Sequence, residues 1–171
     1  IKAEEINGND TVTATTFSVS EPIAFVPEVE QIALGDKVTV IETALSMSTL
    51  DTDATYTNVI THGADTILRV DNRMGELQLA VNGKFYSLCD EKGNIYTVDG
   101  SATPVAAIVD KSAGTVRLAI DGKMAYYLDG TTVKNTYGTV AVSNGYTDVL
   151  TVGAQSNPHG ALTVSKATCS T

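Results

Sequence analysis

The sequence predicts an all-β fold, a two-layer antiparallel β-sandwich of the jelly-roll type, and three observations carry that prediction. Two stretches, GELQLAVNGK from Gly75 to Lys84 and GTVRLAIDGK from Gly114 to Lys123, each alternate apolar and polar residues into an Asn-Gly or Asp-Gly pair. Such a pair fits a two-residue type I′ turn because both residues tolerate positive φ. Short alternating runs rich in Val, Thr, Ile and Tyr recur along the chain between turn signals, with no convincing amphipathic helix among them. With 171 residues, 43% of them hydrophobic, the chain is expected to form one domain with enough apolar side chains to fill the space between two sheets.

The first ten residues are polar and expected to be loose, and Thr11 to Val19 then alternates as a strand. Pro22 and Pro27 bracket IAFV, which confines that segment to an edge strand or an extended crossing, since proline cannot donate to a ladder. Lys37 to Ala44 is the next strong strand, followed by a loop over LSMSTLDTDATY. Strands over Thr57 to Thr61 and Thr66 to Val70 flank a turn at His62-Gly63-Ala64-Asp65, and Asp71 to Gly75 turns into the first repeated hairpin. There a two-residue turn at Asn82-Gly83 pairs Leu79 with Tyr86 and Leu77 with Leu88, setting one apolar face against the core. The same register sets Glu76 opposite Cys89.

NIYTVDG and TPVAAIVD read as the next two strands, and the second hairpin places Val116, Leu118, Ile120, Ala125 and Tyr127 inward with Arg117 and Tyr126 paired on the other face. Strands near Thr131 to Lys134, Thr139 to Val142, Asp148 to Val152 and Ala161 to Ala167 follow, with a turn at Ser143-Asn144-Gly145. The two hairpin copies start 39 residues apart, but two copies are too few for a solenoid and read as recurrence inside one sandwich.

Lysine and arginine number 11 against 20 acidic residues, a formal charge of -9 that no basic cluster relieves, which makes nucleic acid and anionic membrane poor partners. No run of 18 apolar residues exists, so no membrane-inserting helix is expected. Thr, Ala, Val and Gly dominate over Lys and Glu, a profile suited to the exposed sheets of an extracellular protein. Cys89 and Cys169 are too few for a disulfide framework or a structural zinc site; they form one bridge or remain two buried thiols.

The order of elements resembles the laminin G-like and concanavalin A-like jelly roll, in which a strand of the VTVIETAL kind precedes strands like ILRVDN, GELQLAVNGK and GTVRLAIDGK. The last is the strongest part of the likeness, a Gly-x-x-x-Leu-x-x-Asp-Gly-Lys run, and the resemblance covers Asp36 to Lys123 and the closing strands to Ala167. The chain departs from the pattern in having no tryptophan, and Pro104 to Lys111 stands where a tryptophan or histidine often precedes the hairpin. The resemblance implies a carbohydrate-binding module, with a structural calcium ion of the sort such domains often hold. It assigns no ligand residue.

For sugar binding, the residue types needed are aromatic rings for pyranose faces and polar groups for hydroxyls. Gln78, Arg117 and Tyr126, with Ser87, fall on the hairpin faces opposite the core rows; Arg73, Tyr56, Tyr137 and Tyr146 are loop candidates. Arg69 and Arg73 suit the carboxylate of an acidic sugar. For calcium, the oxygen ligands are Asp51 and Asp53, an Asp-x-Asp pair, and Asp71 at a strand end, without EF-hand spacing. Neither His62 nor His159 belongs to a nucleophile–base motif, and Glu28, Glu30 and Asp36 cluster near a loop, where they either meet in space or stand as solvated charge. The expectation is a noncatalytic glycan-recognition module of a larger extracellular protein, with a glycan or polysaccharide and neighbouring domains as partners. A structural or adhesion domain is the alternative, and a glycan-active enzyme comes third.

Overall fold

The computed structural model describes residues 22–23, 30–36, 38–51, 56–136, 149–155, 162–165 and 168–170. Among them are fifteen strands: β1 (Pro22–Ile23), β2 (Glu30–Ala33), β3 (Val38–Met47), β4 (Tyr56–His62), β5 (Asp65–Asp71), β6 (Glu76–Val81), β7 (Lys84–Cys89), β8 (Thr103–Asp110), β9 (Thr115–Ile120), β10 (Lys123–Met124), β11 (Tyr126–Asp129), β12 (Thr132–Asn135), β13 (Val149–Gln155), β14 (Leu162–Ser165) and β15 (Thr168–Ser170). No helix long and apolar enough to cross a membrane occurs among the described residues.

The strands form two antiparallel sheets. One has seven strands in the order β1-β14-β3-β8-β9-β10 with β15 also paired to β3, and the other has eight in the order β12-β11-β7-β6-β5-β4-β13-β2. Between them lies one core, to which the seven-stranded sheet gives Ile41, Leu45, Val105, Val109, Val116, Leu118 and Ile120. The eight-stranded sheet gives Ile60, Leu68, Val70, Leu77, Leu79, Leu88 and Leu150. The two-layer sandwich expected from the sequence is therefore the architecture found, and the hairpin rows face inward as their alternation requires.

The first hairpin has the expected register, with Leu79 opposite Tyr86 and Gln78 opposite Ser87. Its turn residues Asn82 and Gly83 have φ of 51° and 80°, the left-handed conformation an Asn-Gly pair supplies. The two copies of the repeat fall in different layers: β5, β6 and β7 belong to the eight-stranded sheet, and β8, β9 and β10 to the seven-stranded one. Each copy is entered through the same turn, in which the Gly75 amide bonds to the Asp71 carbonyl (2.7 Å) and the Gly114 amide to the Asp110 carbonyl (2.9 Å).

Several expectations are corrected. The second hairpin starts as predicted, with Ile120 opposite Lys123 and Ala119 opposite Met124. The Ala125 amide still reaches the Leu118 carbonyl (2.8 Å). The chain then changes layers, and Tyr126 pairs with Cys89 on β7 instead of Arg117. The buried Thr136 hydroxyl holds this crossing, accepting from the Leu118 amide (3.2 Å) and donating to the Ala125 carbonyl (3.0 Å).

NIYTVDG is not a strand; it wedges between the diverging ends of β6 and β7, with single bridges from Thr97 to Glu76 and from Ile95 to Cys89. Glu76 therefore faces Thr97 and not Cys89. Glu30 lies in β2 instead of a loop, paired with Val152. Cys89 is a free, buried thiol on the eight-stranded sheet, while Cys169 pairs with Ile41 of the seven-stranded sheet. Burial, helped by the charge of Asp90, pushes the Cys89 thiol above its ordinary pKa. The expected strands at Thr11–Val19 and Thr139–Val142, the loose first ten residues, and the turn at Ser143-Asn144-Gly145 lie outside the described residues.

Candidate functional site

Since Leu68, Val70, Leu77, Leu79 and Leu88 point into the core, the residues alternating with them on the eight-stranded sheet point away from it. Strand pairing lines up Asn58, Arg69, Gln78 and Ser87 in one cross-strand row, with Tyr56, Asp71 and Glu76 in the next. On the other side of the Arg69 row, Phe85 pairs with Ala80.

Arg69 is the centre of this face. Its guanidinium carbon lies 3.5 Å from the Tyr56 ring centroid and 3.4 Å from the Phe85 ring centroid, so the planar group stacks against two aromatic rings. Its Nε donates to Gln78 Oε1 at 2.8 Å. Burial pulls the Arg69 pKa below its ordinary value, against the attraction of Tyr56 and Asp71. The group stays protonated throughout the physiological range, because arginine starts so high. Ser87 donates from Oγ to Glu76 Oε2 at 3.2 Å, tying the two rows together.

Asp71 and Arg73 form a second unit at the turn after β5. Arg73 donates from Nε to Asp71 Oδ1 (3.1 Å) and from Nη2 to Oδ2 (3.0 Å), and its backbone amide also bonds Oδ1 (2.9 Å). Nη2 reaches the Tyr56 hydroxyl at 3.3 Å as well. Burial pushes the Asp71 carboxyl up, but the hydrogen bonds and charge of Arg73 together outweigh it and hold the group below its ordinary value of 3.8.

A group with a depressed folded pKa stabilises the fold above its unfolded value and loses that contribution as pH falls through the folded one. Wild type is therefore expected to be more stable than Asp71→Asn at neutral pH, with the gap closing below pH 3.8. Denaturation midpoints of both proteins between about pH 7 and about pH 2.5 check this; a gap that stays constant contradicts it.

The residues singled out from sequence are distributed unevenly. Gln78 lies at the middle of the Arg69 row, and Arg73 borders it, but with its guanidinium engaged by Asp71. Tyr56 is a strand residue and not a loop residue. Arg117 lies on β9 of the other layer. Tyr126 shares the eight-stranded sheet but lines a separate cleft of about 440 Å³ with Tyr96, Met124 and Lys123. Tyr137, Tyr146, His159 and Asp53 lie outside the described residues.

Of the expected calcium ligands, Asp51 and Asp71 are among the described residues and Asp53 is not. The Asp51 amide bonds the Asn72 carbonyl at 2.9 Å, which sets the two loops side by side. Both carboxylate oxygens of Asp71 accept from Arg73. No group of three His, Cys, Asp or Glu residues able to hold a metal forms among the described residues.

Phe85 was not singled out from sequence. The signal was present, because the Asn-Gly register that turns Tyr86 inward turns Phe85 outward.

The fold and this face define the class as an antiparallel two-layer β-sandwich with a polar and aromatic outer sheet surface. No family model matches the chain, and no curated protein matches it. Among solved structures it is similar to the cellulose-induced protein Cip1, with a TM-score of 0.49 and 11% identity over 78% of this chain and 67% of that one. It is also similar to the Caenorhabditis elegans galectin LEC-6, with a TM-score of 0.44 and 10% identity over 88% and 96% of the two chains. An alginate lyase of polysaccharide lyase family 7, AlgAT5, gives 0.46 and 12% over 83% and 63%. At these scores the likenesses carry no argument about ligand or activity.

Proposed function

We propose that the chain is a noncatalytic glycan-recognition module of an extracellular protein, and that it binds sugar on the outer face of the eight-stranded sheet. The observation that carries this reading is the Arg69–Gln78–Ser87 row. Its polar groups are set on neighbouring strands about 4.8 Å apart, flanked by Tyr56 and Phe85 and oriented before any ligand arrives. Because the Gln78 carbonyl oxygen accepts from Arg69, its Nε2 donor is left without a partner among the described residues. Prearranged donors beside aromatic rings are what a sugar's alternating hydroxyls and C–H faces require.

The carboxylates of this face support a binding role over a hydrolytic one. Glycoside hydrolysis needs one carboxyl group that holds its proton near neutral pH. Asp71 is shifted in the opposite direction by Arg73. The Thr-rich, Lys-poor composition supports an extracellular setting.

An array of neutral and acidic glycans, probed with and without calcium and followed by calorimetric titration of the hits, tests the proposal. Gln78→Ala is expected to weaken binding by about tenfold, with its melting temperature within about 4 °C of wild type. Lys111→Ala, in a turn of the other layer, is expected to leave affinity unchanged. An array without any saturable binding would overturn the proposal in favour of a structural or adhesion domain.

A further inference from the structure

The Arg69 guanidinium has most of its contacts fixed by its neighbours, and what remains open defines a ligand. Tyr56 and Phe85 cover its faces, and Gln78 takes its Nε proton. The Nη groups at the outer edge have no hydrogen-bond partner among the described residues. Arg73 makes the contrast: its Nε and Nη2 are both bound to Asp71.

Two charged neighbours of Arg69, Asp71 and Arg73, form an ion pair with each other. Asp71 directs both carboxylate oxygens at Arg73, so the Arg69 charge, half-buried between two rings, makes no ion pair among the described residues. From this arrangement, and resting on the glycan-binding reading above, we propose that the site takes a sugar bearing a carboxylate, with Arg69 receiving that carboxylate at its open edge.

The chemistry of the fork favours a carboxylate over a hydroxyl. A neutral sugar hydroxyl would accept one ordinary hydrogen bond from the Nη groups. A carboxylate accepts a charge-assisted pair in the plane of the guanidinium, each bond roughly twice as strong as a neutral one. The double stack restricts the plane of the fork, so little rotamer entropy remains to be lost on binding. The formal charge of -9 does not forbid an anionic ligand, because at physiological salt the screening length is about 8 Å and the ligand responds chiefly to the nearest charges. From Arg69 across Gln78 to Ser87 the row extends about 10 Å, room for a second ring whose hydroxyls meet the Gln78 amide and the Ser87 hydroxyl.

Calorimetric titration of the whole chain tests the assignment, using oligosaccharides of mannuronate, guluronate, galacturonate and glucuronate, the carboxyl-reduced counterpart of each, and a sulfated neutral oligosaccharide. At least one uronate series is expected to bind about 10–100-fold more tightly than its reduced form. Arg69→Lys, which keeps the charge but loses the planar fork, is expected to cut that preference at least about tenfold. The same is expected of Arg69→Gln, with circular dichroism confirming that both variants are folded. The inference is overturned while glycan binding stands if reduced sugars bind as tightly as uronates. It is equally overturned if the sulfated probe binds more tightly than every uronate, or if both Arg69 variants keep the preference. If no glycan of any kind binds, the recognition reading itself falls and this assignment falls with it.

Discussion

Replacing Leu79 by alanine is expected to destabilise the protein by about 2–5 kcal/mol, measured as a shift of the guanidinium midpoint at unchanged slope. Leu79 is fully buried in the cluster that both sheets share, and it lies between Leu68 on β5 and Tyr86 on β7. Truncation removes three buried carbons whose transfer from water contributes about 0.8 kcal/mol each. The backbone on both sides is held by ladder bonds, so the sheet closes only part of the resulting cavity and a packing penalty adds to the transfer loss. The neighbouring Gln78 lies on the opposite face, and Gln78→Ala is expected to cost about 1 kcal/mol or less, chiefly the bond to Arg69. A Leu79→Ala cost as small as that of Gln78→Ala would mean that the alternating row is not what joins the two layers.

That contrast between adjacent residues was readable from sequence because an Asn-Gly turn fixes the hairpin register, and the register fixes which side chains share a face. What was not readable is which layer a strand joins. Both sheets face one core, so an inward residue looks the same in either. Ala125 and Tyr127 keep their alternation although the chain changes sheets between Met124 and Tyr126, which is why Arg117 and Tyr126 were expected to meet and do not.

The site was partly legible for the same reason. Gln78 and Ser87 follow from one hairpin. Tyr56, Arg69 and Phe85 come together across the consecutive strands β4 to β7, and the register of β4 on β5 shifts at irregularities between Asn58 and Thr61 that the turn at His62 to Asp65 does not reveal. Outward parity is also ambiguous in a sandwich, since the two layers present outer faces on opposite sides of the molecule. The wedge at Ile95 and Thr97 alternates like a strand, but it pairs through single bridges because β6 and β7 diverge around it.

Gly75→Ala is expected to cost about 2–3 kcal/mol, and its comparison with Gly63→Ala separates two causes. Both glycines follow a strand on the eight-stranded sheet with positive φ, 74° at Gly75 and 57° at Gly63. A side chain in that conformation costs about 1–2 kcal/mol at either position. At Gly63 an added Cβ meets nothing within 4 Å, so the backbone cost is the whole expected effect. At Gly75 the Cβ would come within 2.8 Å of the Val98 carbonyl oxygen, and backbone cannot swing aside as the end of a side chain can.

The close approach at Gly75 has a purpose in the fold. The Gly75 carbonyl accepts from the Val98 amide at 2.7 Å, and one residue on, the Asp99 carbonyl accepts from the Met47 amide of β3 at 2.6 Å. The 95–99 segment thus ties the Asp71–Gly75 turn of one layer to the end of a central strand in the other. Moving Val98 away from an added methyl weakens that tie, about 0.5–1.5 kcal/mol for the lost bond beyond the φ cost. Amide hydrogen exchange supplies a local readout: Val98 and Met47 are expected to lose protection in Gly75→Ala and keep it in Gly63→Ala. Equal destabilisation by the two substitutions, with Val98 still protected in both, would show that the turn tolerates the methyl and that the crossing segment does not depend on the absence of a side chain at Gly75.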